Sequence, residues 1–375
     1  MSAKLRVVVV GAGPMGRTWL RTIAGNDDVE LAGIADLAVD VADQAADDAG
    51  HPGLPTGADA IELARRTNAD AIINVTVPAA HHPVTTAALL AGYPVLGEKP
   101  VASTVAEGLS LAACAELTGR LFMVSQSRRY FRNLFLAKRQ AEALGRIGAL
   151  SVEFFKAPHF GGFREAMESP LLLDMAIHQF DAARFMLDAD PVSVMCEEYN
   201  PAWSWYAGDA AATAVFEFEG GARFTFAGSW ASPGFETSWN GSWRISGEHG
   251  TVLWDGDREP TAELLDGAGS AVVGARADLG PIADPGTETA GSLREFVAAL
   301  RTGAEPMGRV HENVLSLAMV EAAMRSARLG RRVAIDEVLG ESYETALATE
   351  ANEDVLRVLK SWPSVRAGLG AARRA

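Results

Sequence analysis

The chain has 375 residues, 48% of them hydrophobic and 22% charged, which is typical of a soluble enzyme with two domains. Its formal net charge of −15 would repel phosphate backbones and anionic lipid surfaces, so the sequence argues against nucleic acid and membrane as partners. The two cysteines, Cys114 and Cys196, give no disulfide framework or zinc spacing, and no signal-peptide pattern or membrane-length apolar run is present, which together predict a cytoplasmic protein.

The first predicted element is a buried parallel strand over residues 5–10, which leads into the run Gly11-Ala12-Gly13-Pro14-Met15-Gly16 and a helix over residues 17–24. Between a strand and a helix, such a run can bind a dinucleotide. Gly11 allows the tight turn, Gly13 lets the backbone approach a pyrophosphate, and Gly16 lets the helix pack closely. An ordinary glycine-rich turn is the alternative, and the context favours nucleotide binding.

Asp36 follows the second predicted strand, residues 30–35, and lies 36 − 16 = 20 positions after the last glycine of the run. A carboxylate there can accept hydrogen bonds from an adenosine ribose and would repel the 2′-phosphate of NADP. No arginine follows in Leu37-Ala38 to bind such a phosphate. We therefore predict NAD as the cofactor, with NADP less favoured. A helix-capping aspartate is the alternative.

Further apolar strands at residues 71–75, 94–98 and 121–125 alternate with helices at 39–49, 58–67, 83–91 and 104–118. This alternation predicts a doubly wound parallel sheet, a Rossmann domain over residues 1–127. Pro83 is expected in the first turn of its helix, just after His81 and His82. Histidines in such a place are often polar edge residues, and direct ligand contact is the less favoured alternative.

The strand around Leu96 ends in Glu98-Lys99-Pro100. Ligands of open α/β sheets bind at the carboxyl ends of the strands. An ammonium group that is taken from water there needs either an ionic partner or a functional role. Pro100 restricts Lys99 to an extended backbone, which helps to direct its side chain. From these residues alone, a lysine whose stem packs while its head reaches solvent is an equal alternative.

The pattern changes after residue 127. A helix at 133–143 precedes alternating strands near residues 149–157, 192–199, 210–219, 222–229 and 242–246, with hairpin turns between them. These strands predict a second domain of α+β type over residues 128–335, with a mainly antiparallel sheet. Residues 336–375 are predicted to form a helical tail of unknown role. Six tryptophans between Trp203 and Trp254 are assigned to packing or an interface rather than to sugar contacts.

One helix interrupts these strands, from an N-cap at Ser169 to about Leu187. It carries Asp174, His178 and Asp181 at steps of four and three, which would place all three on one face. On an otherwise apolar helix this pattern favours a reaction site, in which Asp174 orients His178 and the imidazole exchanges a proton with an alcohol. A structural hydrogen-bond network is the alternative, and Asp181 is expected to pair with Arg184. No metal is predicted, because Asp174, His178 and His81 have no further ligand at usable spacing.

Together these residues resemble the glucose–fructose oxidoreductase, inositol dehydrogenase and MocA family of NAD(P)-dependent oxidoreductases, from Lys4 to about Ile335. The most specific motifs are Glu98-Lys99-Pro100 and Asp174-x-x-x-His178-x-x-Asp181, supported by residues 76–81, 128–130, 245–250 and 326–327. There are departures, in that Met167-Glu168-Ser169-Pro170 stands where the family often has a glycine-rich run, Ala176 where it often has glycine, and Tyr93-Pro94 where Lys-His is common.

The resemblance implies an N-terminal Rossmann domain with a C-terminal open, mainly antiparallel sheet domain, often in dimers or tetramers, and a Lys-Pro peptide that can be cis. It also implies that Lys99 orients the substrate hydroxyl, that Asp174 assists and that His178 is the general acid/base. We expect the cofactor site to include Gly11, Gly13, Pro14, Met15, Gly16, Asp36, Thr76, His81, Glu98 and Lys99. We expect the substrate site to include Lys99, Arg129, Asp174 and His178.

The sequence therefore predicts an NAD(H)-dependent oxidoreductase that acts on a secondary alcohol of a sugar, cyclitol or related polyol. A homodimer or homotetramer formed through the C-terminal sheet is expected. Two alternatives stay open: a non-catalytic nucleotide-sensing protein of the same fold, and an oxidoreductase for imine or dihydrodiol-type substrates.

Overall fold

A computed structural model describes residues 3–265, 271–273 and 284–370. These residues fold into two compact units. The first is drawn from Met1–Ser127, Gly286–Val314 and Leu339–Ala375, and the second from Arg128–Pro285 and Leu315–Val338. This division differs from the one expected from sequence, which assigned residues 286–314 to the second domain and residues 336–375 to a separate tail.

The first unit is built on a six-stranded parallel sheet with strand order β3-β2-β1-β4-β5-β6, the doubly wound order. The predicted Rossmann fold is thus confirmed. The strands pack as apolar runs because helices cover both faces of such a sheet. In chain order the elements are β1 (Leu5–Val10), α1 (Pro14–Ala24), β2 (Val29–Ala35), α2 (Val39–Asp48), β3 (Thr56–Gly57), α3 (Ala60–Arg66), β4 (Ala71–Asn74), α4 (Pro78–Leu90), β5 (Val95–Glu98), α5 (Val105–Thr118) and β6 (Phe122–Ser125).

The start of α4 is the main local error of the sequence analysis. The helix begins at Pro78, so Pro83 lies inside it, and His81 and His82 are helical rather than in a preceding loop. Pro78 and Pro83 both have the fixed φ that fits the first turn of a helix, and in the structure Pro78 occupies that turn. The missing N–H of Pro83 removes one intrahelical bond, which α4 tolerates close to its beginning.

The second unit is built on a nine-stranded mixed sheet with order β14-β13-β12-β11-β7-β10-β9-β8, completed at the β8 edge by a short strand from later in the chain. The pair of β7 and β10 is parallel and the other pairs are antiparallel, which agrees with the expected mainly antiparallel sheet. The elements are α6 (Arg132–Glu142), β7 (Ile147–Phe155), α7 (Ile177–Leu187), β8 (Pro191–Tyr199), β9 (Ala211–Phe218), β10 (Arg223–Ser229), β11 (Ser242–Gly247), β12 (Gly250–Trp254), β13 (Thr261–Leu265) and β14 (Ala271–Val273).

Helix α7 packs on this sheet through Phe180. Its ring meets those of Phe216, Phe224 and Phe226 edge-on, with centroid distances of 4.7, 6.1 and 5.4 Å. Edge-to-face contacts of this kind stabilise a core beyond the area that they bury. The predicted helix from Ser169 is not uniform, because Leu171–Ala176 form a π-helical turn before α7 begins. The wider turn changes which residues lie above one another near Asp174.

The six tryptophans of the second unit divide by exposure. Trp230, Trp243 and Trp254 are buried in the core, as the packing interpretation expects, and Trp205 is half-buried. Trp203 and Trp239 are 67% and 39% exposed.

The remaining elements are α8 (Glu288–Thr302), α9 (Val310–Leu329), β15 (Val333–Ala334), α10 (Ile335–Thr349), α11 (Glu353–Ser361) and α12 (Val365–Gly370). Within the described residues, no helix has both the length and the apolar character needed to cross a lipid bilayer.

Specific contacts explain why chain-distant segments belong to the first unit. The hydroxyls of Thr22 on α1 and Thr289 on α8 are 2.8 Å apart. On α5, Glu116 accepts hydrogen bonds from Trp362, at 3.0 Å, and from His311, at 2.8 Å. Residues 286–314 and the predicted tail are therefore held to α1 and α5 of the first unit by partly buried polar contacts.

Candidate functional site

The glycine run forms the turn between β1 and α1. A Cβ at Gly16 would fall 2.0 Å from the carbonyl oxygen of Gly11, so only glycine fits this close approach. At Gly13 a Cβ would meet no atom within 4 Å. The backbone there borders open space at the start of a helix, which is the arrangement that accommodates a pyrophosphate. Pro14 is the first residue of α1, and Met15 is 39% exposed beside it.

Asp36 is fixed against this turn. One carboxylate oxygen accepts a hydrogen bond from the backbone N–H of Ala12, at 2.8 Å, and the other from that of Ala38, at 3.0 Å. The carboxylate thus connects the end of β2 with the glycine run. It lies where an acid can accept from a ribose, and the residues present fit a dinucleotide.

The carboxyl end of β4 carries a polar network. Asn74 accepts hydrogen bonds from the backbone N–H of Thr76, at 3.2 Å, and from its hydroxyl, at 2.7 Å. The Asn74 amide group donates to the hydroxyl of Thr85 on α4, at 3.0 Å. Thr76, predicted to contact the cofactor, is therefore held in place by a buried asparagine that the sequence analysis did not single out.

His81 connects this strand end with the next one. Its Nδ1 is 2.6 Å from the carbonyl oxygen of Pro100, and its Nε2 is 3.0 Å from that of Thr76. Burial lowers the pKa of His81, and the charge of Lys99 acts in the same direction, although the two carbonyls act against them. A neutral imidazole donates to one of the two carbonyls. The ring therefore contacts the backbone at Thr76 and at Pro100. The predicted contact of His81 with the cofactor stays a prediction.

Glu98 ends β5 in the interior of the first unit. Its carboxylate accepts hydrogen bonds from the indole N–H of Trp19 on α1, at 2.8 Å, and from the backbone N–H of Lys99, at 3.2 Å. Burial raises the pKa of Glu98, although Trp19 and Lys99 act against it. The next peptide bond, Lys99–Pro100, is cis. This buried carboxyl thus ties the strand end that carries Lys99 to the helix of the glycine run.

In the second unit, Asp174 lies on the π-helical turn and is partly exposed. Its carboxylate accepts a hydrogen bond from Nε of Arg164 at 2.6 Å. Arg164 could not be identified from the sequence, because nothing in the local pattern connects it with a residue ten positions later. Ser169 does not cap the turn with its side chain. Its hydroxyl donates to Glu198 at 3.3 Å instead.

His178 is the second residue of α7 and is 8% exposed. It lines a small cavity within the second unit, with room for about one water molecule. The other lining residues are Arg128, Leu134, Gln179, Ala182, Asn240, Trp243 and Trp254. Neither Asp174 nor Asp181 lines this cavity, so the three ionisable residues of the motif have different surroundings.

Asp181 has a different partner from the one expected. It forms an ion pair with Arg129, and the hydroxyl of Ser316 also donates to it, at 2.7 Å. The predicted partner, Arg184, pairs with Asp190 instead. Asp181 therefore has the expected structural role, but its partner is Arg129, which is distant in the chain, and not Arg184. Arg129, predicted to bind substrate, is itself buried in this pair, and its substrate contact stays a prediction.

A doubly wound sheet with an intact dinucleotide turn, on a chain that also forms a large mixed sheet, defines a class of proteins that bind a dinucleotide. Two family models match the chain. One, described as an oxidoreductase family with an NAD-binding Rossmann fold, covers residues 5–126, and the other, a GFO/IDH/MocA C-terminal domain, covers residues 137–253. The chain belongs to the Gfo/Idh/MocA family, and its first unit contains an NAD-binding Rossmann domain.

Named relatives support an oxidoreductase. Inositol 2-dehydrogenase of Rhizobium meliloti is 27% identical over 347 residues, which cover 88% of this chain and 99% of that protein. D-apiose dehydrogenase of Paraburkholderia graminis is 26% identical over 302 residues, 76% of this chain and 78% of that protein. A solved oxidoreductase from Agrobacterium radiobacter, in complex with NAD+, L-tartaric acid and magnesium, shares the fold with a TM-score of 0.78 at 20% identity, covering 90% of this chain and 100% of that one.

Proposed function

We propose that this oxidoreductase transfers a hydride to or from a secondary alcohol carbon of a sugar, cyclitol or related polyol, with Lys99, Asp174 and His178 as its catalytic residues. The main support is similarity along 88% of the chain to a protein named inositol 2-dehydrogenase. All three groups required for alcohol chemistry are present.

Each residue has a distinct role. Bound NAD supplies the hydride chemistry, held by the glycine run, Asp36 and the backbone around Thr76, His81 and Glu98. His178 takes the hydroxyl proton during oxidation and returns it during reduction, since histidine is the side chain most often used as a general base and acid. Lys99 donates a hydrogen bond to the reacting oxygen and stabilises its developing negative charge. Asp174 orients these groups, and Arg129 contributes to substrate binding.

The direct test compares Lys99→Ala, His178→Ala and the double variant. Turnover of the best substrate from a panel of cyclitols, aldoses, sugar acids and 3-keto sugars should fall by roughly 10²–10⁴-fold in each single variant. NADH binding, followed by its fluorescence, should survive. The double variant should lose much less than the product of the two single losses, because groups that act on one reacting oxygen are not additive.

Two results would contradict the proposal. Parallel loss of NADH binding and turnover in Lys99→Ala would assign this lysine to the cofactor rather than to the reaction. NADH binding by the unmodified protein without turnover of any panel member would favour the nucleotide-sensing alternative.

We further propose a homodimer or homotetramer formed through the mixed sheet. Hydrophobic side chains on its strands are exposed, among them Val192 (41%), Met195 (40%) and Leu253 (48%). Val192 and Met195 both lie on β8, and neighbouring exposed apolar side chains favour association. Light scattering should give a multiple of the chain mass, and Met195→Glu should shift the protein toward the monomer. A monomeric unmodified protein would disprove this assembly.

A further inference from the structure

Arg164 lies in the loop before the π-helical turn, and two interactions fix its guanidinium. Nε donates to Asp174 at 2.6 Å. The guanidinium carbon lies 5.4 Å from the ring centroid of Phe160 and 4.9 Å from that of Phe163, within the range of cation–π attraction. The loop is closed by a hydrogen bond of 2.8 Å from the backbone N–H of Gly161 to the carboxylate of Glu165. The arginine is therefore positioned before any ligand arrives.

The position of this guanidinium leaves its outer edge, the Nη1 and Nη2 groups, available to a ligand. Arginine has five N–H donors, and in the described part of the chain Arg164 makes its hydrogen bond through Nε alone. The donors on Nη1 and Nη2 have no hydrogen-bond partner among those residues, while the side chain is 34% exposed. Paired N–H groups in a rigid plane match the two oxygens of a carboxylate.

The surroundings suit an acidic sugar. Phe160 and Phe163 are 42% and 58% exposed, so their rings can cover the C–H surface of a ligand and reduce the access of water to the guanidinium. A ligand carboxylate near Asp174 would be repelled by that carboxylate. Arg164 offsets this repulsion, because it can bond Asp174 through Nε and the ligand through its outer edge.

We propose that Arg164 binds a carboxylate of the substrate, so that the substrate is a sugar acid or a related hydroxy acid rather than a neutral polyol. This inference rests on the proposed function, in which Asp174 belongs to the catalytic group. It assigns substrate recognition to a residue outside the family motifs quoted above.

The test uses matched substrates that differ in one carboxylate: a uronic acid against its parent aldose, and an aldonic acid against its alditol. The unmodified enzyme should favour the acid by about 10- to 100-fold in kcat/KM. Arg164→Gln should abolish this preference, mainly by raising KM for the acid, while the loss on the neutral partner should be much smaller. Arg164→Lys, which keeps the charge without the planar pair of donors, should restore part of the preference.

The matched control is Arg223→Gln, which removes an arginine from the ion pair with Glu217 elsewhere in the same unit. It should leave both substrates unaffected. Equal losses on the acid and its neutral partner in Arg164→Gln would show that Arg164 acts by holding Asp174, and would overturn the inference. A preference of the unmodified enzyme for neutral substrates would overturn it as well.

Calorimetric binding to the NAD-loaded protein separates this inference from the proposed function. Binding of the acids that depends on Arg164 but is followed by no turnover would support the carboxylate site and reject the dehydrogenase reaction. Turnover of neutral polyols with no measurable binding of the acids would support the reaction and reject the site.

Discussion

Arg129 and Asp181 form a bidentate ion pair in the interior of the second unit, with Nε 2.6 Å from Oδ2 and Nη2 2.8 Å from Oδ1. The two side chains are 9% and 1% exposed. Two parallel hydrogen bonds with a charged donor and acceptor give this pair both strength and fixed geometry. It holds the start of this unit against the helix that carries His178.

Asp181→Asn should therefore destabilise the second unit strongly. The substitution leaves the arginine charge buried without its counter-ion, which costs roughly 3–5 kcal/mol. Urea unfolding followed by tryptophan fluorescence should show the loss. The control is Glu217→Gln in the exposed pair with Arg223, where a change of at most about 1 kcal/mol is expected. A similar, small effect at both positions would disprove a structural role for the buried pair.

Asp36 should set the affinity for NAD. Asp36→Ala removes a charged acceptor fixed beside the glycine run, and hydrogen bonds to charged groups contribute about 1.5–3 kcal/mol. The Kd for NADH, from fluorescence titration, should rise about 10- to 100-fold, and the difference between NADH and NADPH should narrow. Asp36→Asn keeps one acceptor oxygen for Ala12, so its Kd for NADH should lie between those of the unmodified protein and of Asp36→Ala. An unchanged NADH affinity in Asp36→Ala would reject the ribose contact.

Glu198 should make stability depend on pH. Burial raises its pKa from the ordinary 4.5 to about 7, with Asp209 and Glu168 acting in the same direction. Because the folded protein then binds this proton more tightly than the unfolded chain, stability falls as pH rises through the interval from 4.5 to about 7.

Glu198→Gln removes this penalty and keeps the size of the side chain. At pH 8 it should raise the stability of the second unit by about 1–2 kcal/mol, a value reduced for partial exposure, and at pH 4 it should change little. Thermal melting over a pH series measures this. Glu197→Gln, on the same strand but exposed, is the control and should change the stability little at either pH. A stabilisation equal at both pH values would contradict the role of burial.

Both thiols should be inert in the folded protein. Burial raises the pKa of Cys114 and of Cys196 to about 12, so almost no reactive thiolate forms at neutral pH. Ellman's reagent should detect no thiol in the native protein and 2 after unfolding. Rapid reaction of the native protein would show that one thiol is accessible. Cys196→Ala would then identify which one.

Much of the first unit could be predicted from its sequence. The strand, glycine run and helix over residues 5–24 follow from the side-chain pattern of a buried strand and from glycines that a tight turn requires. The start of α4 could not be predicted as reliably, because Pro78 and Pro83 both fit a first helical turn.

The sequence by itself determined the order of the main elements and the Rossmann topology of the first unit, whereas Lys99, Asp174 and His178 as catalytic residues stay a prediction. The order and the topology follow from rules that act over a few neighbouring residues, such as side-chain periodicity and turn geometry. The tertiary structure alone decided that Asp181 pairs with Arg129, 52 positions away, and that Arg164 holds Asp174. The partner of a buried charge depends on which distant segments pack together, and no local pattern encodes that packing.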